Sequence, residues 1–152
     1  MIKRLNNKIE ETSLEIQKVF RASYKIEAKL LNADDFPPLK REVVNYMNSD
    51  TEFYGFWKNN EIAAIIEVES SFENTDIHSL VVHPNYFRQG LGKQLTTFVL
   101  NNFNSETYTV ETGAKNIPAI KLYKQLGFEE QKQWDTEFGI RKVGFIKTNK
   151  KS

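Results

Sequence analysis

Residues 77–95 of this 152-residue chain read IHSLVVHPNYFRQGLGKQL. The apolar, β-rich run from Ile77 to Val82 predicts a strand, and Pro84 ends its ladder because proline has no N–H to donate. Gly90 and Gly92 follow, and an amphipathic segment begins there. Strand, glycine loop and helix in this order predict an anion-binding site, because the first N–H groups of a helix have no partner inside it and glycines let an anion approach them.

The helix after the loop is predicted by the spacing of its apolar residues. They recur at helical intervals with polar residues between them, at Leu91, Leu95, Phe98, Val99 and Phe103. Two common phosphate-binding loops do not fit. A P-loop needs glycine at position 87 and Ser or Thr at position 94, but this chain has Phe87 and Gln94. A dinucleotide fingerprint needs Gly or Ala at position 95, but this chain has Leu95.

The loop Phe87-Arg88-Gln89-Gly90-Leu91-Gly92 resembles the acyl-CoA loop of the GNAT N-acetyltransferases, whose usual form is Q/R-x-x-G-x-G/A. Residues 116–128, NIPAIKLYKQLGF, resemble a second motif of that family, N-x-x-A-x-x-L-Y-x-x-x-G-F. With both motifs in the expected order, the chain is identified as a member of the GNAT superfamily over about residues 52–130. The loop departs from the family at Phe87, where Gln or Arg is usual, and Arg88 can supply positive charge one place later.

The resemblance implies the GNAT fold, an α/β (α+β) fold with one central mixed, mostly antiparallel sheet, splayed at its middle and flanked by about four helices. A single domain over residues 1–152 is expected, with 147–152 as a frayed tail. Strands are predicted at 2–5, 53–58, 61–69, 76–82, 108–111, 128–134 and 140–147. Helices are predicted from a cap at Thr12 or Ser13, at 39–47 with Leu39, Val43, Val44 and Met47 inward, after Gly92, and at 116–126.

Acetyl-CoA is the cosubstrate that the resemblance implies. Its pyrophosphate would meet main-chain N–H groups of the glycine loop, and its pantetheine arm would bond main-chain groups of the central strand inside the splay. For the strand residues plain sheet core is the alternative, and for Asn116 it is a helix cap. The predicted cofactor-binding residues are Leu80, Val81, Val82, Phe87, Arg88, Gln89, Gly90, Leu91, Gly92, Lys93, Asn116, Ala119 and Tyr123.

The implied reaction is direct attack of a primary amine on the thioester, without a covalent enzyme intermediate. Tyr123 is the predicted acid for the departing thiolate, because a phenol with a pKa of about 10 is protonated at neutral pH. A core tyrosine is the alternative. The base is open between His78 and Asp76, which share a strand face by alternation. Further candidates are Glu67 and Glu69, solvated strand residues are the alternative for all four, and His83 is predicted to be a surface residue.

Composition argues against several other classes. The chain has no cysteine and two histidines, so no metal site is predicted. A net charge of +1 lacks the basic excess of a nucleic-acid-binding protein. No apolar run approaches the roughly 20 residues of a membrane span, and no apolar segment follows the charged start, so neither membrane insertion nor a signal peptide is expected and the cytoplasm is the default location.

The acceptor is expected to be a small-molecule amine or a peptide, and monomer and homodimer both stay open. Asp34 and Asp35 can attract a cation or form a solvated turn. A non-catalytic acyl-CoA-binding sensor or partner module is the alternative function, favoured by Phe87, whereas Tyr123 favours the enzyme. Aromatic residues expected to divide between the core and the acceptor walls are Phe20, Tyr24, Phe36, Tyr46, Tyr54, Phe56 and Trp57.

Overall fold

A computed structural model describes residues 1–34 and 36–149. Within them, seven strands form one sheet in the order β1-β2-β3-β4-β5-β7-β6. Only β4 and β5 pair in parallel, so the predicted mixed, mostly antiparallel sheet with four helices is confirmed. The strands are β1 (Ile2–Leu5), β2 (Glu52–Lys58), β3 (Glu61–Ser70), β4 (Asn74–Val82), β5 (Thr107–Gly113), β6 (Glu129–Asp135) and β7 (Arg141–Thr148). The helices are α1 (Glu10–Leu30), α2 (Val43–Met47), α3 (Leu91–Asn102) and α4 (Ile117–Gln125), with 3₁₀ turns at Pro37–Lys40 and Pro84–Tyr86.

Each face of the sheet carries its own hydrophobic core, because alternate residues of a strand point to opposite faces. On β3, Ile66 packs in the core that includes Leu95 of α3 and Tyr123 of α4. Its neighbour Ile65 packs in the other core, with Phe20 of α1. Helix α1 contacts both β3 and β4, the two strands at the centre of the sheet.

The sheet is splayed between β4 and β5, as predicted. Their parallel pairing runs from Asn74 opposite Thr107 to Ile77 opposite Val110 and ends there, although both strands continue. A bulge lies at this point, since Glu67 of β3 pairs with Ser79 and the next residue of β3 pairs with Ile77. A bulge inserts an unpaired residue and re-aims the strand. The gap that results separates the carboxyl-terminal halves of β4 and β5.

Two predictions in the N-terminal third are wrong. Neither Thr12 nor Ser13 caps α1, because the helix begins at Glu10 and the Ser13 hydroxyl donates instead to the Asn7 carbonyl oxygen at 2.6 Å. The helix predicted at 39–47 divides into the 3₁₀ turn Pro37–Lys40 and the five-residue α2. As a result Val44, predicted to face inward, is 52% exposed, and Tyr46 is buried in its place.

The predicted hairpin turn is confirmed, and the predicted C-terminal tail begins too early. Asn59 and Asn60 both have positive φ, 52° and 63°, as the predicted hairpin turn requires. Strand β7 extends to Thr148, so Lys147 and Thr148 are paired strand residues and not the start of a frayed tail. Asp34 lies on an exposed bend. Asp35 and residues 150–152, which complete the predicted acidic turn and the tail, lie outside the described residues.

Candidate active site

The gap between β4 and β5 opens into a cavity of about 300 Å³. Helix α1, the 3₁₀ turn Pro37–Lys40, both splayed strands and α4 contribute to its wall. Because the strands separate at the bulge, side chains from both faces of the sheet reach this one space. The lining residues that can donate, accept or carry charge include Tyr24, Glu27, Arg41, His78, Glu111, Asn116, Tyr123 and Lys142.

Tyr123 combines a core position with a place in the cavity wall. Its ring packs at 5.7 Å from the ring centroid of Phe128 and 6.0 Å from that of Phe145, and the residue is 3% exposed. Among the described residues its hydroxyl has no hydrogen-bond partner. Burial raises the pKa of the phenol above its ordinary value, so the hydroxyl stays protonated well beyond neutral pH. The predicted acid therefore carries its proton and lines the cavity.

Asn116 caps α4, as one of its two predicted roles requires. Its Oδ1 accepts from the Ala119 N–H at 3.3 Å. Its Nδ2 donates to Glu27 Oε1 at 3.1 Å and to Thr112 Oγ1 at 3.3 Å. This side chain therefore ties the start of α4 to both α1 and β5.

Glu27 is a cavity residue that the sequence analysis did not single out. Burial raises the pKa of its carboxyl, and the hydrogen bond from Asn116 and the charge of Lys142 offset this only in part. The sequence holds a signal for it, because Phe20, Tyr24 and Glu27 follow at helical spacing on one side of α1. A carboxylate that continues an apolar helix stripe is a candidate for a buried functional group.

His78 and Asp76 lie on the same face of β4, as alternation predicts, but only His78 lines the cavity. Nε2 of His78 is 3.4 Å from Asp76 Oδ2 and 3.2 Å from Glu69 Oε1. Asp76 Oδ1 accepts from the Thr109 hydroxyl on β5 at 2.6 Å. The imidazole thus stands between two carboxylates where the splay begins.

Glu67 is held as an ion by its surroundings. Arg41 donates to both of its carboxylate oxygens at 2.8 and 3.0 Å, and the hydroxyls of Thr51 and Ser79 donate at 2.7 and 3.0 Å. Burial alone would raise the pKa of Glu67, but these donors outweigh it and the pKa is lowered. A carboxylate with this many donors is a poor proton acceptor, which disfavours Glu67 as the base.

The glycine loop has the geometry of an anion site. Gly90 is the N-cap of α3 with φ of 75°, and no side chain caps this end. The N–H groups of the first helical turn therefore have no partner within the helix. Gln94 N–H is the first to close a helical bond, to the Gly90 carbonyl oxygen. Arg88 also has positive φ, 64°, and Phe87 is 40% exposed.

The anion site adjoins the gap between the strands. A Cβ at Gly92 would lie 3.4 Å from Leu122 of α4 and 3.6 Å from Leu80 of β4. On β4, His83 N–H bonds to the Ala63 carbonyl oxygen of β3, so by alternation the N–H of Val82 points away from β3 and into the gap. That N–H is bonded to Ser23 Oγ of α1 at 3.3 Å.

Comparisons with known proteins agree with this arrangement. A family model for the acetyltransferase (GNAT) domain matches residues 32–149, and the chain belongs to the GNAT acetyltransferase family. The UPF0157 protein YqkA of Bacillus subtilis is 34% identical over 131 residues, which make up 86% of this chain and 38% of YqkA. The chain thus spans less than half the length of that relative. The [ribosomal protein bS18]-alanine N-acetyltransferase of Escherichia coli K12 is 28% identical over 72% of this chain and 74% of its own length.

A solved structure gives the same fold. The PaiA N-acetyltransferase from Thermoplasma acidophilum, in complex with coenzyme A, superposes with a TM-score of 0.79 at 16% identity, over 98% of both chains. Within the described residues, no cluster of histidine and carboxylate side chains is arranged to hold a metal ion. The helices of residues 1–34 and 36–149 do not combine the length and apolar character that a membrane crossing needs.

Proposed function

We propose that this domain transfers an acetyl group from acetyl-CoA to a primary amine of a small molecule or peptide. The observation that carries the proposal is the gap between β4 and β5, which joins the unpartnered N–H groups at the start of α3 to a cavity lined by Tyr123. Membership of the GNAT acetyltransferase family and the coenzyme A bound to the T. acidophilum relative support it.

Different residues along the gap suit different parts of acetyl-CoA. The diphosphate fits against main-chain N–H groups from Arg88 to Lys93, where the positive end of the α3 dipole also lies. The pantetheine arm fits the gap, where main-chain groups of Leu80 and Val82 can bond its amides as a neighbouring strand would. The Val82 N–H donates to the Ser23 hydroxyl in this structure. When the pantetheine arm binds, one of its amide carbonyl oxygens replaces that hydroxyl as the acceptor. Positively charged Arg88 adds to the attraction for phosphate.

The chemistry needs a neutral amine and a proton for the departing thiolate. The amine nitrogen attacks the thioester carbon, the carbon–sulfur bond breaks, and the Tyr123 hydroxyl donates its proton to the sulfur. Because burial raises the pKa of Tyr123, the proton is in place at neutral pH. The amine loses its own proton to a group of the cavity wall. Of the two bases predicted from sequence, His78 lines the cavity, and Asp76 contacts its Nε2 from outside the cavity.

One observation favours the alternative, a module that binds acyl-CoA without turnover. Phe87 stands at the first position of the loop motif and is 40% exposed, so the loop offers an apolar surface where the family has a polar side chain. This change leaves the main-chain donors of the loop in place. It therefore bears on affinity and on partners more than on the ability to bind the diphosphate.

Thiol release from acetyl-CoA separates the two functions. The chain has no cysteine, so a thiol reagent reports only CoA that has been set free. The acceptors are phenethylamine, spermidine and a peptide with N-terminal alanine, and calorimetry measures CoA binding in parallel. Release above background with any of these amines supports the transferase. CoA binding without release supports the binding module, and the absence of heat with both CoA and acetyl-CoA overturns both.

A further inference from the structure

The proposed reaction has not yet used Glu27, one of the two glutamates that line the cavity. It comes from α1, and its Oε1 accepts from Asn116 Nδ2 at 3.1 Å, so it is held against the first turn of α4. Helix α4 also carries Tyr123, two turns farther along. The cavity is therefore lined both by this carboxylate and by the predicted acid.

The charged side chains Arg41, Glu111 and Lys142 of the cavity wall each belong to an ion pair, and within the described part of the chain Glu27 does not. Arg41 is bonded to Glu67, and the Lys142 ammonium lies 3.2 Å from Glu111 Oε1. Glu27 has the neutral amide of Asn116 as its hydrogen-bond partner among the described residues. The Lys142 charge does lower the pKa of Glu27, but that ammonium is bonded to Glu111. Glu27 is half-buried, and a half-buried carboxylate without a bonded cation favours a cationic ligand.

We propose that the Glu27 carboxylate binds the ammonium group of the acceptor and takes the proton that the amine must lose before it attacks. This inference rests on the proposed transferase function. One N–H bond breaks and the proton passes to Glu27, which leaves a neutral amine. After attack and cleavage of the carbon–sulfur bond, the thiolate takes the Tyr123 proton, and the second amine proton returns to the Tyr123 oxygen. Glu27 then releases its proton to solvent.

The positions of the two candidate proton acceptors favour Glu27 over His78. The charge of Glu27 acts on Tyr123 and contributes to raising the pKa of its phenol, so the two groups lie within electrostatic reach of each other. His78 is 36% exposed and has Asp76 and Glu69 at its Nε2. Burial raises the pKa of Glu27, which makes its carboxylate a better proton acceptor at neutral pH.

The wall beside Glu27 also defines the class of acceptor. Tyr24 and Phe36 line the same cavity, and their ring centroids are 5.7 Å apart in an edge-to-face arrangement. An ammonium group on an apolar or aromatic body fits a cavity that combines a carboxylate with these rings. An acceptor with its own carboxylate next to the amine is disfavoured, because Glu27 would repel it.

The pH dependence of kcat/KM for phenethylamine tests the proton transfer. Glu27→Gln keeps an oxygen that can accept from Asn116 but cannot take a proton. We expect about a hundredfold loss at pH 7 that shrinks as the pH rises toward the pKa of the amine, because a free amine needs no base. Glu15→Gln is the matched control, because Glu15 is an exposed carboxylate of α1 that does not line the cavity, and we expect it to stay near the wild-type rate throughout.

The two proton acceptors give opposite results in this assay. A profile in which His78→Gln loses the low-pH rate and Glu27→Gln keeps it overturns the inference and leaves the transferase standing. A purely structural defect in Glu27→Gln would be the same at every pH and would also overturn it. If neither the wild-type protein nor any variant acts on any of the amines, that result contradicts the proposed function itself.

Binding of phenethylammonium to the CoA complex, measured by calorimetry at pH 7, tests the recognition without turnover. We expect at least about tenfold weaker binding in Glu27→Gln and unchanged binding in Glu15→Gln. Equal affinity of wild type and Glu27→Gln, or no binding to wild type, contradicts the inference. The affinity for CoA alone is expected to be the same in all three proteins.

Discussion

The guanidinium of Arg41 donates to both carboxylate oxygens of Glu67, at 2.8 and 3.0 Å, and its Cζ lies 4.2 Å from the ring centroid of Tyr46. Arg41 follows the 3₁₀ turn Pro37–Lys40, and Glu67 lies on β3 at the bulge. This pair therefore fixes the irregular N-terminal segment to the centre of the sheet. Since Arg41 also lines the cavity, the ion pair sets the shape of one wall.

Replacement of Glu67 by Gln is expected to destabilise the protein by roughly 3–5 kcal/mol, because it leaves the Arg41 charge without its partner. The pKa of Glu67 is lowered in the folded state. Its contribution is therefore present above the ordinary carboxyl pKa of about 4.3 and is lost as the pH falls through the lowered folded value. Urea unfolding of the wild type and of Glu67→Gln between pH 7 and pH 3 measures the difference in their free energies of unfolding. A loss under about 1 kcal/mol, as expected for an exposed pair, would contradict the prediction.

Replacement of Tyr123 by Phe is expected to slow acetyl transfer by about 10²–10³-fold while CoA affinity stays nearly unchanged. The phenyl ring keeps the contacts with Phe128 and Phe145, and the hydroxyl has no partner to lose among the described residues. The melting temperature should therefore be close to that of wild type. Tyr108→Phe is the matched control, because that hydroxyl donates to the Phe103 carbonyl oxygen away from the cavity. Unaltered turnover in Tyr123→Phe would retire Tyr123 as the acid.

Replacement of Ser23 by Ala is expected to tighten CoA binding two- to tenfold. In the present structure the Ser23 hydroxyl accepts from the Val82 N–H at 3.3 Å, and the pantetheine arm would need the same donor. A net hydrogen bond is worth about 0.5–1.5 kcal/mol, which sets this range. Calorimetry with CoA measures it. Unchanged or weaker binding would mean that Val82 N–H is not the donor that CoA uses.

Replacement of Gly90 by Ala is expected to weaken CoA binding about tenfold, because a Cβ strains the left-handed conformation that aims the loop N–H groups. Gly139 offers a matched control. It has φ of 73° against 75° at Gly90, and a Cβ at either position meets no heavy atom within 4 Å. Both variants should lose about 1 kcal/mol of stability, and only Gly90→Ala should lose affinity. Equal affinities would show that the loop conformation does not position the diphosphate.

The sequence predicts best those elements whose ends carry local signals. Helix α4 has a cap at Asn116 and positive φ at Gly127, and the turn at Asn59 and Asn60 is fixed by two residues that tolerate positive φ. The errors lie where distant contacts decide. Ser13 could cap a helix, but its hydroxyl donates to the Asn7 carbonyl oxygen instead. Arg41, in the extended segment before α2, is bonded to Glu67 of β3, which lies 26 residues away in sequence.

In the candidate site, too, the residues with local sequence signals could be predicted and those that depend on distant contacts could not. The glycine loop and Tyr123 could be predicted because each belongs to a contiguous motif, and the shared face of His78 and Asp76 follows from strand alternation. For Glu27 the sequence holds only the helical spacing from Phe20 and Tyr24, and its contact with Asn116 spans 89 residues of sequence. Only the fold brings α1 against the first turn of α4. The role proposed for Glu27 depends on that contact and on burial, neither of which a local pattern encodes.

The stability of the Glu27→Gln variant tests whether this carboxylate is retained at a cost to the fold. Its pKa is raised in the folded state by burial, so the folded protein binds a proton more tightly than the unfolded chain does. The contribution of Glu27 to stability is therefore most favourable below the ordinary carboxyl pKa of about 4.3 and is lost as the pH rises through the raised folded value.

Because Gln carries no charge, Glu27→Gln should melt at the same temperature as wild type near pH 4 and at an equal or higher temperature at pH 8, while acetyl transfer is impaired. Gain of stability with loss of activity is typical of a group kept for function. Glu67→Gln should show the opposite pH trend, since the pKa of that carboxyl is lowered. A Glu27→Gln variant that melts well below wild type at pH 8 would instead mark Glu27 as a structural residue.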